Sequence, residues 1–213
     1  MRKTKEEIIF LFEEFRNSEY YDRWIFADNI LYDMCEKNLK HDDADVVAGK
    51  MLIIGRSYAA SVERRIINLS MNNDDFYYDK IVRELINDSS KIDDWIVKIK
   101  CLNNKQAEVI VPKVHYYLMR KLRRITGIDK RSLVSKYLHF HCPNKVYIYD
   151  SYAEKGINSI INTRFSKNKI PEKVDETYYK FYLKMIELNN ILQDKTPKEL
   201  DKFVLWLAMY KKS

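Results

Sequence analysis

Glycine and proline are scarce in this chain, four of each in 213 residues. So little turn-forming material argues against many short strands joined by tight turns, and favours long helices. Cysteine is scarcer still. Cys35, Cys101 and Cys142 stand far apart, odd in number and without C-x-x-C spacing. That argues against a disulfide framework, a zinc site or an iron–sulfur cluster, and reduced thiols suit a cytoplasmic protein. No apolar run reaches bilayer-spanning length. The stretch MRKTKEEIIFLFEEF is short and flanked by acidic residues, so neither a signal peptide nor a membrane partner is expected. There is no P-loop, no G-x-S-x-G and no H-E-x-x-H, which removes support for nucleotide-triphosphate, serine-hydrolase and zinc-protease chemistry. No cofactor is expected.

What is present is a globular composition, 46% apolar and 32% charged, long enough to bury a core. No linker divides it, so residues 1–213 read as a single unit. The net charge of +7 favours phosphate polyanions as partners, although a basic surface alone gives the same number. The 16 tyrosines serve either as amphipathic core residues or as stacking faces for bases.

Apolar residues recur at helical spacing almost throughout. Helices are expected over Lys5–Phe15, from Ser18 to about Met34, and over Ala44–Leu69, whose Gly49, Gly55, Ala59 and Ala60 would admit a close helix neighbour. Others are expected near Phe76–Ile86 and Ile92–Ile99, from Pro112 to Gly127, from Lys130 to before Pro143, from Asp150 to Ile161, and over Glu172–Leu192 and Pro197–Lys211. Asn72–Asp75 reads as a turn and Asn162–Pro171 as a basic loop. The Asp93–Asp94 pair suits a helix start, and Trp24, Trp95 and Trp206 read as core. The fold class is therefore all-α, with about ten helices in two lobes around a cleft.

The stretch RKLRRITGIDKRSLVSKYLHFHCPNKVYIYDSYAEKG carries the chemistry. Seven lysines and arginines lie between Arg120 and Lys136, among them Arg123, Arg124, Lys130 and Arg131. A turn at Gly127-Ile128 and the start of the next helix direct backbone N–H groups outward, where they suit one DNA phosphate. The bland alternative is a helical hairpin with a solvated basic face. An apolar helix, a break at Pro143 and a short extended run then lead to Asp150.

Ile125-Thr126-Gly127-Ile128-Asp129, Ser132–Phe140 and Val146-Tyr147-Ile148-Tyr149-Asp150 together resemble the helix-hairpin-helix DNA glycosylase superfamily, in its bacterial 8-oxoguanine-glycosylase-like branch. The helix-hairpin-helix would span about residues 113–141. The resemblance implies base flipping and excision, with Asp150 catalytic and Gly127, Ile128, Lys130, Arg131, Arg123 and Arg124 on DNA. Two departures stand out. Asp129 replaces the second hairpin glycine. The nucleophilic lysine of bifunctional members falls, counted back from Asp150, on Ser132 or Arg131. Lys136 lies four residues beyond Ser132, on the same helix face. If buried, its amine would lose its proton more easily and become nucleophilic. Snorkelling, or a structural pair with Asp150, is the alternative reading.

Tyr58 and Arg56 read as a pocket wall, against a plain surface pairing of Arg56 with Glu63. His139 and His141 read as one helix cap and one pocket residue, and H-x-H beside Cys142 lacks the further ligands a metal site needs. The expected function is a DNA N-glycosylase, monofunctional or with an AP-lyase step, acting as a monomer on double-stranded DNA with an oxidised or otherwise modified base. The alternatives are a non-catalytic helix-hairpin-helix DNA-binding protein, a glycosylase acting on modified phage DNA, and a basic helical interaction protein.

Overall fold

A computed structural model describes residues 3–66, 72, 75–163, 165, 170–193 and 195–210. Among them there are ten helices and no strand. In chain order they are α1 (Lys5–Arg16), α2 (Ile25–Lys37), α3 (Ala44–Ser57), α4 (a π-helical Phe76–Val82 continuing as Arg83–Ile86) and α5 (Ser89–Cys101). Then follow α6 (Asn104–Thr126), α7 (Arg131–His141), α8 (Ser151–Ile160), α9 (Glu176–Leu192) and α10 (Pro197–Met209). None is long and apolar enough, among the described residues, to cross a membrane.

The helix starts are chemically explicit. Thr4 with Glu7, Asn103 with Gln106 and Thr196 with Glu199 form capping boxes, and Asp43, Asp150 and Asp175 accept first-turn N–H groups. α6 begins eight residues before Pro112, which lies inside the helix rather than near its start. α5 begins at Ser89, so Asp93 sits past its first turn, and its carboxylate instead binds His41 Nδ1 at 2.6 Å.

Other boundaries differ from expectation as well, and α9 starts at Glu176 rather than Glu172. The segment from Ser18 is turn, not helix, and α2 starts at Ile25 after Trp24, which takes a left-handed φ of 68° and is 72% exposed. Trp95 and Trp206 do pack against the core. α3 ends at Ser57 rather than running on toward Leu69. Ala59 takes φ 49°, and the Ala60 N–H reaches back 2.7 Å to the Gly55 carbonyl. A Cβ on Gly55 would lie 3.0 Å from Ser61 Cα and 3.5 Å from the Leu133 side chain, so the glycine admits the chain's own reversal as well as the neighbouring α7. Positions 67–69, the middle of the Asn72–Asp75 turn, part of the Asn162–Pro171 loop and Lys211 lie outside the described residues.

α7 is the spine of the core. Every residue from Leu133 to His141 is buried, against α2, α3 and α6. α8 and α10 make the most extensive helix contact, at Gly156, where a Cβ would come 1.9 Å from the Val204 carbonyl oxygen. This crossing places the N-terminus of α8, and hence Asp150, beside α7.

Candidate functional site

α6 ends at Gly127, whose φ of 70° any Cβ would resist. The Gly127 N–H donates to the Arg123 carbonyl at 2.8 Å and the Ile128 N–H to Thr126 Oγ1 at 3.2 Å. Both donors are thus used within the turn. Asp129 closes the turn by pairing with Arg123 at 3.0 Å. α7 then starts at Arg131 with no side chain capping it, which leaves its first turn the place for an external acceptor.

Lys136 is 2% exposed. Helical side chains lean toward the N-terminus, and this one reaches back a full turn. Its Nζ donates to Ser132 Oγ at 2.9 Å, to the Tyr58 carbonyl at 3.4 Å and to Asp150 Oδ2 at 3.4 Å. The amine thus sits beside the position to which the interval from Asp150 counts back. Burial pushes its pKa below the ordinary lysine range, and the Asp150 charge opposes that only in part.

Asp150 serves two neighbours. Oδ1 caps α8, accepting from the Tyr152 and Ala153 N–H groups at 3.0 and 2.9 Å, while Oδ2 faces Lys136. The extended run before it is fixed by Ser135, whose Oγ accepts the Tyr149 N–H at 2.9 Å. A serine in the middle of an apolar helix is the sequence signal for that tie, since its hydroxyl needs a partner when buried.

Lys136, Asp150, Ser132, Ile128, Lys130 and Arg131 share an open groove of about 510 Å³ with Tyr58, Ala59 and the exposed Arg64 and Arg65. The α3 break brings in the last four. Tyr58 stands at the groove's inner wall, 5.6 Å from the Lys136 amine by its ring. Its hydroxyl donates to Asp28 Oδ1 at 2.5 Å and accepts from Lys198 Nζ at 2.7 Å. Asp28 and Lys198, 3.2 Å apart, had no signal in the sequence, because nothing local relates α2 to α10.

The remaining candidates are either committed to internal partners within the groove or lie outside it. Arg124 is exposed on α6. Lys130 is buried and donates to the Arg64 carbonyl at 2.5 Å. Arg131 is held in a two-point pair by Asp175, at 2.5 and 2.8 Å, over the Tyr149 ring. Arg56 lies outside the groove and pairs with Glu63 at 3.6 Å. His139 and His141 are both buried in the core rather than lining the Lys136 groove. His139 Nδ1–H donates to the Val146 carbonyl at 2.7 Å and Nε2 accepts from the Tyr32 hydroxyl at 2.7 Å, which fixes a neutral tautomer. His141 donates to the Tyr137 carbonyl at 2.8 Å. The expected helix cap and pocket residue are thus both core residues, buried as α7 packs against α2, α3 and α6.

The described residues include no group of three or more His, Cys, Asp or Glu placed to hold a metal ion. Compared with known proteins, the chain matches no family model, no curated protein and no solved structure.

Chemically, the groove holds a desolvated primary amine whose proton is weakly held, a carboxylate to receive or steady that proton, and cations on the rim. Such a set suits attack on an electrophilic carbon next to a phosphate-bearing backbone.

Proposed function

We propose that this chain is a DNA N-glycosylase of helix-hairpin-helix type, with Lys136 as nucleophile and Asp150 as its carboxylate partner. The observation that carries the reading is the 3.4 Å approach of these two side chains on the wall of an open groove. The uncapped start of α7 lines the same groove, which suits one phosphate of a duplex, while the N–H groups of Gly127 and Ile128 are used within their turn. The partner is double-stranded DNA carrying a modified base, bound by a monomer, and the two-lobed arrangement with its cleft belongs to this reading.

In the reaction, the target nucleotide turns out of the stack into the groove. Neutral Lys136 attacks the sugar C1′. The C1′–N bond breaks, and its electron pair leaves on the base nitrogen. The proton lost by the amine passes to Asp150 and on to the departing base, so charge and protons balance. Asp150 also steadies positive charge on the sugar ring as the bond lengthens. Ring opening gives a Schiff base; Asp150, a carboxylate again once the base has left, takes a C2′ proton, the C3′–O bond breaks and the strand leaves as its phosphate.

A non-catalytic DNA-binding protein is the second reading. It draws on the three acceptors around Lys136 Nζ and on the capping role of Asp150, both of which have structural uses. Base release over a panel of lesion-bearing duplexes separates the two. Release by the wild type that is abolished in Asp150→Asn supports the glycosylase. Salt-sensitive DNA binding with no release from any duplex supports the binding protein.

A further inference from the structure

Tyr58 belongs to two spaces, the Lys136 groove and a second cavity of about 370 Å³ whose walls include Asp28, Lys198 and Asp201. Two ammonium groups approach its ring, Lys136 at 5.6 Å and Lys198 at 5.0 Å from the centre. Each holds the residue by a different end. Lys136 donates to the backbone carbonyl at 3.4 Å, and Lys198 to the hydroxyl at 2.7 Å. The hydroxyl in turn donates to Asp28. The tyrosine thus ties one amine to the other.

The charges behind Tyr58 do not cancel. Lys198 lies in the first turn of α10, with Asp201 three residues on and on the same helix face. Two carboxylates stand against Lys198 Nζ, Asp28 Oδ2 at 3.2 Å and Asp201 Oδ2 at 3.5 Å. Asp28 has the Tyr58 hydroxyl as a donor. Asp201 is 1% exposed, and neither of its carboxylate oxygens accepts a hydrogen bond among the described residues. A buried carboxylate without donors is costly. Burial pushes this carboxyl up to about 6, which leaves it ionised across the range in which lysines titrate.

Asp150 at the start of α8 touches Lys136, Lys198 and Asp201 act on it from α10, and Asp28 of α2 stands beyond the Tyr58 hydroxyl. Arg64, Arg65, Lys130 and Arg131 line the same groove. Of the two α10 groups, Lys198 pushes the Lys136 proton off and Asp201 draws it back. Charges on the order of 10 Å apart, at an effective dielectric constant of about 20, change a proton equilibrium by about tenfold.

We propose that Lys198 and Asp201 are positioning residues that set the proton of Lys136 from behind Tyr58, with opposite signs. Lys198 holds the tyrosine whose carbonyl receives the amine, and repels the ammonium; Asp201 limits that repulsion. Their part in base excision rests on the reading of Lys136 as nucleophile, yet the amine's ionisation is read without any reaction. The full chain is made with isotope-labelled lysine, and the Lys136 side chain is titrated by NMR, its signal assigned from its absence in Lys136→Met. Lys198→Met raises the midpoint, by about tenfold in proton affinity, and Asp201→Asn lowers it by a comparable factor. Lys198→Arg keeps the charge and a donor for the Tyr58 hydroxyl, and stays close to the wild type. A merely structural tie would be loosened by either change and would not move the proton in opposite directions. If Lys198→Met does not fold, Asp201→Asn, which removes a buried charge at constant size, decides alone: its midpoint falls or the proposal fails. Shifts of one sign in both variants, no shift in either, or a Lys198→Arg that behaves as Lys198→Met overturns the proposal. Base release from lesion-bearing duplexes is scored in parallel. Opposite shifts without release uphold this proposal and remove the glycosylase reading; release with a midpoint indifferent to both residues does the reverse.

Discussion

The Lys136 amine lies 2.9 Å from the Ser132 hydroxyl, although their positions are one helical turn apart. The backward lean of helical side chains delivers a nitrogen from position 136 to the neighbourhood of position 132. An amine's place in the sequence and its place in space are thus separable.

If the amine's location is what matters, it can be moved. Ser132→Lys combined with Lys136→Ser returns the nitrogen to the counted position, next to the same Asp150. The double variant is expected to recover Schiff-base formation above the Lys136→Ala background. No recovery in a folded double variant would tie the chemistry to the present backbone position.

Burial lowers the Lys136 pKa, and the Asp150 charge raises it in part. Only the neutral amine attacks, so the adduct-forming rate rises with pH and levels off at a midpoint below the ordinary lysine value of about 10.4. Asp150→Asn, which retains the N-cap acceptor, moves that midpoint further down because the ammonium loses its partner. Rate profiles for the two proteins check both signs. A midpoint that rises in the variant would contradict the pairing.

How much of this was legible in the residues differs by element. The stop at Gly127 was read from local chemistry, whereas the caps at Thr4, Asn103 and Thr196, equally local, went unread, so α6 starts eight residues before the expected Pro112. The juxtaposition of Lys136 and Asp150 was anticipated through the resemblance, whose interval counted back from Asp150 falls on Ser132, one helical turn before Lys136. The end of α3 was not, because the reversal depends on Gly55 meeting Ser61 rather than on a helix breaker. Trp24 was read as core by its type, while the backbone at that residue turns it outward. Asp175, Asp28 and Asp201 gave no sign of their roles, since Arg131 and Asp175 are 44 residues apart and the others meet only through packing of α2 with α10.

All four histidines are buried, His115 pushed down to about 4, His139 to about 3, and His41 and His141 also down, chiefly by desolvation. The unfolded chain takes up these protons near pH 6.5, so between that value and the folded values the unfolded state binds more of them. Stability is therefore full above about pH 6.5 and falls progressively as the pH drops toward 4 and 3. Urea midpoints measured across that window report the slope. His139→Gln, which keeps one donor and one acceptor, flattens the fall; an unchanged slope would rule out His139 as a contributor.

Gly156 permits the crossing of α8 over α10, because a Cβ there would strike the Val204 carbonyl at 1.9 Å. The obstacle is backbone and has no rotamer to yield. Gly156→Ala is expected to cost about 1–3 kcal/mol, and to displace Asp150 from Lys136 as α8 shifts. Thermal melting and groove activity should fall together, and a variant as stable as the wild type would mean that the crossing relaxes freely.

The most direct measurement is borohydride trapping on lesion-bearing duplexes, with the adduct mapped by peptide mass. The account predicts a covalent protein–DNA product at Lys136, absent in Lys136→Ala although that variant still binds DNA. A product mapped to Lys130 or Lys198, or trapping unchanged in Lys136→Ala, would contradict it.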